Sequence, residues 1–172
     1  MIFRRLSTLK PRTFILVSVC ILPLLCFSQN TQSQSTTSQN PYIAKYWPLA
    51  QTLQTQYGIP AEVIIGIGIY ESNYGKSKVC RLLNNHHGLA GKNQLMKTHG
   101  VKSRYQQFES DSAGYVAFCN FVARRKYYES IKGTTDINQW LSTIGRNGYC
   151  QNPTIWKKHI LQLLKKHGLV SS

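Results

Sequence analysis

Glu71 is the residue in this sequence whose type and position best suit acid–base chemistry. It directly follows the apolar run Ala61–Tyr70 (AEVIIGIGIY). If that run is a helix, Glu71 lies seven and four residues beyond Ile64 and Ile67 and shares their apolar face. A carboxyl group on such a face is partly desolvated, which disfavours its charged form and raises its pKa. It can then hold a proton near neutral pH and act as a general acid. The alternative is a glutamate at a helix end that simply reaches solvent.

The secondary structure of Ala61–Tyr70 decides between these two interpretations. Its isoleucines and glycines favour a strand by propensity. Pro60 suits the first turn of a helix, and Glu62 would lie near the positive end of the helix dipole. Hydrophobic periodicity leaves both structures open.

Other segments show the apolar spacing, caps and glycine stops of amphipathic helices. The apolar content is enough for one packed core. The predicted helices are Tyr42 to Tyr57 with a stop at Gly58, Asp111 to about Tyr128, Ile137 to Ile144 behind the cap Asp136, and a C-terminal helix with the stripe Trp156, Ile160, Leu163 and Leu164 and a stop at Gly168.

The first 28 of the 172 residues are typical of an export signal. Arginines and lysines precede the apolar stretch Phe14–Leu25, which is too short to span a membrane comfortably. Small residues at Cys26 and Ser28 predict cleavage after Ser28. The alternatives are a lipoprotein signal with Cys26 as the lipidated residue, or a retained N-terminal anchor.

Residues 29–40 (QNTQSQSTTSQN) are uniformly polar and predict a flexible linker, so the folded domain should span 41–172. Four of the 21 basic residues lie within residues 1–28 and all six acids follow, which leaves a net charge of +11. Such a charge attracts anionic partners. For an exported protein, periplasmic or cell-wall associated, the carboxylate-rich bacterial wall is expected rather than nucleic acid, with no stable membrane insertion once the signal is removed.

Three cysteines, Cys80, Cys119 and Cys150, remain after residue 28 and allow at most one internal disulfide. The spacing of Cys119 predicts a core thiol. His86 and His87 lack a nearby carboxylate or cysteine cluster, so neither a metal nor a cofactor is expected.

Three ordered motifs are similar to those of the bacterial endo-β-N-acetylglucosaminidase family, the peptidoglycan glucosaminidases related to lysozyme. The family pattern contains a helix that ends in Leu-Glu-Ser-x-x-Gly, then an Asn-Asn-x-Phe-Gly turn, then Gly-Tyr-Ala-Thr-Asp/Asn-Pro. The matching segments here are Tyr70-Glu71-Ser72-Asn73-Tyr74-Gly75, Asn84-Asn85-His86-His87-Gly88-Leu89-Ala90-Gly91 and Gly148-Tyr149-Cys150-Gln151-Asn152-Pro153.

This resemblance implies a mainly α, lysozyme-like helical domain with a substrate cleft and little or no β-structure. It implies hydrolysis of the β-1,4 bond after N-acetylglucosamine in peptidoglycan glycan strands. We also expect the protein to be a monomer. Glu71 matches the catalytic acid and Tyr149 the cleft tyrosine. Asn85, Tyr105 and Ser72 are expected to line the substrate site, although Asn85 also suits a buttress turn and Ser72 the bracing of a helix end. Alternatively, Tyr149 is a core aromatic residue whose hydroxyl bonds to a backbone group.

The sequence departs from the family pattern in two ways that concern chemistry. Residues 91–105 contain no Asp or Glu, although many glycosidases use a second carboxylate. Glu109 and Asp111 come next and match a helix start. Two catalytic routes remain open: attack by the substrate's own N-acetyl oxygen, or a distant carboxylate that positions water. The domain could instead be a catalytically poor wall-binding module. A further alternative is a muramidase or lytic transglycosylase. In addition, His87 replaces a usual Phe.

Overall fold

The computed structural model describes residues 40–171. The predicted signal peptide (1–28) and residues 29–39 of the predicted linker lie outside the described residues, so both stay predictions. Asn40 caps the first helix, because its side-chain oxygen accepts a hydrogen bond from the backbone N–H of Tyr42 at 3.0 Å. Within 40–171, no helix combines the length and hydropathy required to cross a membrane.

Helices dominate the described residues, and the predicted mainly α fold is confirmed. The sole β feature within 40–171 is an isolated antiparallel bridge between Ala90 and Tyr105. A wide π-type turn, Gly145–Tyr149, precedes the last helix. The helices are α1 (Pro41–Tyr57), α2 (Ala61–Ser72), α3 (Lys78–Leu83), α4 (Leu95–His99), α5 (Asp111–Ala123), α6 (Tyr128–Ile131), α7 (Ile137–Ile144) and α8 (Pro153–Lys166).

The ambiguous segment Ala61–Tyr70 belongs to helix α2, which forms the centre of the core. Every residue from 61 to 69 except the half-buried Glu62 is buried, and α2 packs against α1, α7 and α8. The helical alternative is therefore confirmed, and its apolar surface extends around the helix, as is typical of a helix buried on every side. A Cβ at Gly66 would lie 3.0 Å from side-chain atoms of Ile160 and Leu164, so this glycine lets α8 approach closely.

The predicted helix ends are correct where a cap or a glycine marks them. Helix α1 ends before Gly58, which has a φ of 63°. Asp136 caps α7 by accepting a hydrogen bond from the Gln139 N–H at 3.0 Å. The helix expected over 111–128 is shorter, because α5 ends at Ala123 and the chain turns. After that turn the Tyr128 hydroxyl donates to the Tyr57 carbonyl oxygen at 2.5 Å, a tertiary contact that local spacing does not encode.

Candidate active site

Glu71 lies where α2 leaves the core, one residue before the helix ends at Ser72. Residue Asn73 adopts a left-handed conformation with a φ of 51° and terminates the helix. The Ser72 hydroxyl donates to the Gly68 carbonyl oxygen at 2.5 Å and accepts from the Gly75 N–H at 2.8 Å. With 1% of its surface exposed, Ser72 braces the helix end, as the bracing alternative expects, while its contact with substrate stays a prediction.

The Glu71 carboxylate combines solvent access with a partly apolar setting. The residue as a whole is exposed, while its Oε1 accepts a hydrogen bond from the indole N–H of Trp156 at 2.8 Å. Desolvation by burial raises the pKa of Glu71, and the hydrogen bond from Trp156 offsets this rise only in part. A carboxyl group with a raised pKa on an exposed residue has the properties required of a general acid.

The Asn84–Asn85 turn holds the backbone of Gly88 beside the acid. Gly88 has a φ of 65°, and a Cβ at this position would lie 3.4 Å from Oε2 of Glu71. The Asn85 side-chain amide donates to the carbonyl oxygens of Leu89 and Gln106, both at 2.9 Å, and its oxygen accepts from the Leu89 N–H. Asn85 is only 5% exposed and its hydrogen bonds are internal, which fits the buttress alternative, while its sugar contact stays a prediction.

His87 packs as an aromatic residue in the core behind the turn. Its ring stacks on Phe118 with centroids 4.2 Å apart, and its Nε2–H donates to the Ile64 carbonyl oxygen at 3.1 Å. Nδ1 is buried without a partner among the described residues. Burial lowers the pKa of His87 to about 3. His87 is therefore a neutral structural group at neutral pH.

We expect the His87→Phe variant to be less sensitive to acid than the wild type. The pKa of the folded histidine, about 3, is below its unfolded value near 6.5. The unfolded chain therefore binds this proton first, and stability is lost as the pH falls below 6.5. From pH 7 to pH 5 this one group costs the wild type about 2 kcal/mol. Urea unfolding at both pH values measures the difference, and an unchanged loss in the variant would contradict it.

Tyr149 reaches the site through the wide turn before α8. Gly148 in that turn has a φ of 88°, a conformation that favours glycine. The Tyr149 hydroxyl donates to the His87 carbonyl oxygen at 2.5 Å, and the ring packs against Trp156 with centroids 5.4 Å apart. Desolvation, followed by the neighbouring charge of Glu71, raises the pKa of Tyr149. This tyrosine therefore lies beside the acid, is neutral at neutral pH, and is anchored to the same turn as Gly88.

Tyr105 lies on the other side of Gly88. A Cβ at Gly88 would lie 3.8 Å from the Tyr105 ring as well as 3.4 Å from the Glu71 carboxylate. The half-buried Tyr105 pairs with Ala90 in the isolated bridge, and the Arg104 guanidinium lies over its ring at 5.4 Å. The fold thus brings Glu71, Tyr105 and Tyr149 around one glycine.

Asp111 is one of the two candidates for a second carboxylate, and its side chain forms hydrogen bonds with residues other than those around Glu71. Its oxygens accept hydrogen bonds from the Tyr46 hydroxyl at 2.5 Å and from Lys45 and His86, both at 3.0 Å. Burial alone would raise the pKa of Asp111, but these bonds hold it at about 2. Glu109 is exposed at the entry to α5. Among the described residues, no carboxylate contributes to the pKa shift of Glu71.

Trp156 is the site residue that the sequence patterns missed. Its spacing assigned it to the apolar stripe of the last helix, and it is indeed 4% exposed. Its hydrogen bond to Glu71, however, joins residues 85 positions apart in the chain. Its position in the sequence could have indicated this role, because Trp156 comes three residues after Pro153, the last residue of the motif that contains Tyr149.

Removing the indole N–H in Trp156→Phe is expected to raise the pKa of Glu71 further. The bond stabilises the charged carboxylate, so its loss favours the protonated form. The alkaline limb of the pH profile of kcat/KM should therefore move to higher pH, and the ¹³C shift of the Glu71 carboxyl should titrate with it. The control is Trp140→Phe, which removes an indole hydrogen bond to Thr134 away from Glu71. Equal shifts in both variants would refute the assignment.

The three cysteines of the described residues are free thiols. Cys119 is fully buried, which confirms its prediction as a core residue. Cys150 follows Tyr149, and desolvation together with the charge of Glu71 raises its pKa. Oxidation of Cys150 would therefore introduce a polar group beside the acid.

Comparisons with known proteins identify the fold. The chain is similar to the glycoside hydrolase domain of FlgJ from Salmonella typhimurium (TM-score 0.59, 15% identity, covering 76% of this chain and 97% of that one). It is also similar to a peptidoglycan hydrolase from Sphingomonas sp. A1 (0.56, 17%, 76% and 96%) and to the catalytic domain of the autolysin Auto from Listeria monocytogenes (0.59, 14%, 74% and 83%). Among curated proteins, none matches.

A family model gives the more specific assignment. Residues 47–169 match the glucosaminidase family, described as mannosyl-glycoprotein endo-beta-N-acetylglucosaminidase. The matched range begins within α1 and ends after α8, and it includes Glu71, the Asn84–Asn85 turn and Tyr149. The chain therefore belongs to the mannosyl-glycoprotein endo-β-N-acetylglucosaminidase family and is a glycoside hydrolase.

Proposed function

We propose that this protein is an exported hydrolase of peptidoglycan that cleaves the β-1,4 bond after N-acetylglucosamine, with Glu71 as general acid. The observation that carries the proposal is the Glu71 carboxyl itself, which is solvent-accessible, has a raised pKa and is held by Trp156 beside Gly88. Family membership supports the bond type. Related folds that act on peptidoglycan support the polymer.

In the proposed reaction the protonated Glu71 donates its proton to the glycosidic oxygen as the bond to the anomeric carbon breaks. The leaving sugar departs with a new hydroxyl, and Glu71 becomes a carboxylate. The hydrogen bond from the Trp156 indole then stabilises that carboxylate. After departure of the leaving sugar, Glu71 can accept a proton from water in the second step.

We further propose that the substrate's N-acetyl oxygen is the nucleophile. It forms a bond to the anomeric carbon while the leaving group departs, giving a cyclic oxazolinium intermediate. Water then attacks the anomeric carbon, loses a proton to Glu71 and regenerates the N-acetyl group. This route requires one protein carboxyl group. It is favoured because Asp111 is held by three internal partners and residues 91–105 contain no acid.

Tyr149 and Tyr105 complete the proposed site. Tyr149 is neutral and lies next to Glu71. It stabilises the positive charge that develops on the sugar and helps to orient the acetamido group. Tyr105 provides an aromatic surface across Gly88 for a sugar ring. We propose that the protein acts as a monomer.

Export and wall association rest on residues outside the site. The basic, apolar and small-residue regions of residues 1–28 support removal of a signal peptide, and the remaining charge of +11 supports attraction to an anionic wall. We propose a periplasmic or extracellular location. Mass spectrometry of the secreted protein tests it, since a mature N-terminus at Gln29 is the expected result and a lipidated Cys26 would contradict it.

Reducing-end analysis of digested peptidoglycan tests the bond specificity. The expected products end in reducing N-acetylglucosamine. Reducing N-acetylmuramic acid would indicate a muramidase, and anhydromuramic acid would indicate a lytic transglycosylase. Release of no sugar, with retained binding to the wall, would identify a binding domain instead and overturn the proposal.

A further inference from the structure

A cavity of about 490 Å³ lies between α5 and the two chain segments that the isolated bridge joins. Its wall combines apolar, amide and cationic side chains. Those that bear on its chemistry are Leu89, Gln106, Asn120, Phe121, Arg124 and Arg125.

Two of the cavity's wall residues neighbour residues that lie beside Glu71. Leu89 directly follows Gly88, the residue that faces the Glu71 carboxylate. Phe121, which also lines the cavity, packs its ring edge-on against Tyr149, with centroids 5.9 Å apart. A group that branches from a polymer bound at Glu71 would reach the cavity past Leu89 or Phe121.

Positive charge distinguishes this cavity from a neutral sugar subsite. Arg124 and Arg125 are exposed, and its wall contains no acidic residue. The Arg125 guanidinium lies over the Phe121 ring, 3.9 Å from its centroid. A stacked guanidinium keeps its N–H groups in its own plane, where they can bind a carboxylate in bidentate fashion.

An amide donor lies in the same wall. The side-chain oxygen of Asn120 accepts a hydrogen bond from the Tyr57 hydroxyl at 3.0 Å, which fixes the amide and leaves its NH₂ group to donate. Two guanidinium groups and an amide NH₂ form a donor set suited to an anion. An uncharged glycan chain would not require the two cations.

We propose that this cavity binds the carboxylates of the peptide stem carried by a muramic acid next to the cleaved bond. The inference rests on the proposed function, since it takes peptidoglycan as the substrate. In stem-bearing strands the lactyl carboxyl is already in an amide bond, so the stem itself supplies the negative charge. The arginines then determine preference for stem-bearing strands without contacting the reacting atoms.

The test compares glycan strands whose stem carboxylates are free with the same strands after conversion of those carboxylates to primary amides. We expect wild-type kcat/KM to be about tenfold higher on the free-carboxylate strands, the effect of one charge-assisted contact of about 1.4 kcal/mol. The double variant Arg124→Gln with Arg125→Gln should lose this preference through KM. Replacing both arginines with lysine should retain part of it, because charge remains but the bidentate geometry is lost.

The matched control is the double variant Lys165→Gln with Lys166→Gln, which removes two charges from the exposed end of α8. It should keep the preference, and an equal loss in both double variants would overturn the site by assigning the effect to overall charge. Fluorescence anisotropy with a labelled free stem peptide provides a readout without cleavage. Arginine-dependent peptide binding with no strand cleavage would refute the hydrolase function alone, whereas cleavage without arginine-dependent preference or binding would refute the site alone.

Discussion

Replacing Glu71 with glutamine is expected to lower the rate of glycan cleavage about 10³-fold, because general acid catalysis typically contributes 10² to 10⁴. The amide keeps the size of the carboxyl group and can still accept a hydrogen bond from Trp156. It has no proton of suitable acidity to give to the glycosidic oxygen. Circular dichroism and the free energy of unfolding should stay close to the wild type, so the loss is chemical.

Two variants serve as controls for this result. Glu62→Gln removes the same charge from the first turn of the same helix and should keep full activity. Glu109→Gln removes the exposed alternative carboxyl and should also stay active, as the one-carboxyl route requires. If wild type and Glu71→Gln release sugar equally, Glu71 is not the acid. If Glu109→Gln is the inactive variant, the second carboxylate has been found.

The largest expected effect on stability is in the variant Gly114→Ala. Gly114 is a buried position of α5, and a Cβ there would lie 2.3 Å from the carbonyl oxygen of Asn84. That contact involves backbone on both sides, so no side-chain rotation can relieve it. We expect the free energy of unfolding to fall by about 3 kcal/mol, the upper part of the range for overpacked sites. This loss of stability is opposite in sign to the effect of helix propensity, which favours alanine over glycine by about 1 kcal/mol.

Urea unfolding measures this change, with Ser112→Ala on an exposed position of α5 as the control for propensity alone. The control should be neutral or slightly stabilising. A stability gain in Gly114→Ala would mean that α5 does not pack on the turn as described. Because Asn84 begins the turn that holds Gly88 beside Glu71, activity of the folded variant should also fall, which links the packing of α5 to the catalytic geometry.

Much of the secondary structure was predictable because its signals are local. Gly58 and Asp136 end and begin helices through bonds that span a few residues, and both were identified from the sequence. The segment 61–70 was not predictable in this way, since its isoleucines favour a strand in isolation. Burial on all sides against α1, α7 and α8 outweighs that preference, and propensity differences of under 1 kcal/mol per residue cannot compete with it.

Within the candidate site, too, some residues were predictable from local sequence and others were not. Sequence motifs alone selected Glu71 and Tyr149 and indicated the family, because each motif is a short run with its own spacing. The roles of Ser72 and Asn85 depended on burial, which local sequence does not specify. Both polar side chains turned out to hold the backbone, since a buried polar group must find internal partners.

By itself, then, the sequence determined an acid at the end of an apolar segment and the turns expected beside it. Only the tertiary structure decided what surrounds that acid. The indole of Trp156 reaches Glu71 because Gly66 lets α8 lie against α2, two segments about 90 residues apart. The tertiary structure also placed Asp111 among Lys45, Tyr46 and His86. Such contacts arise from helix packing, so no local pattern could predict them.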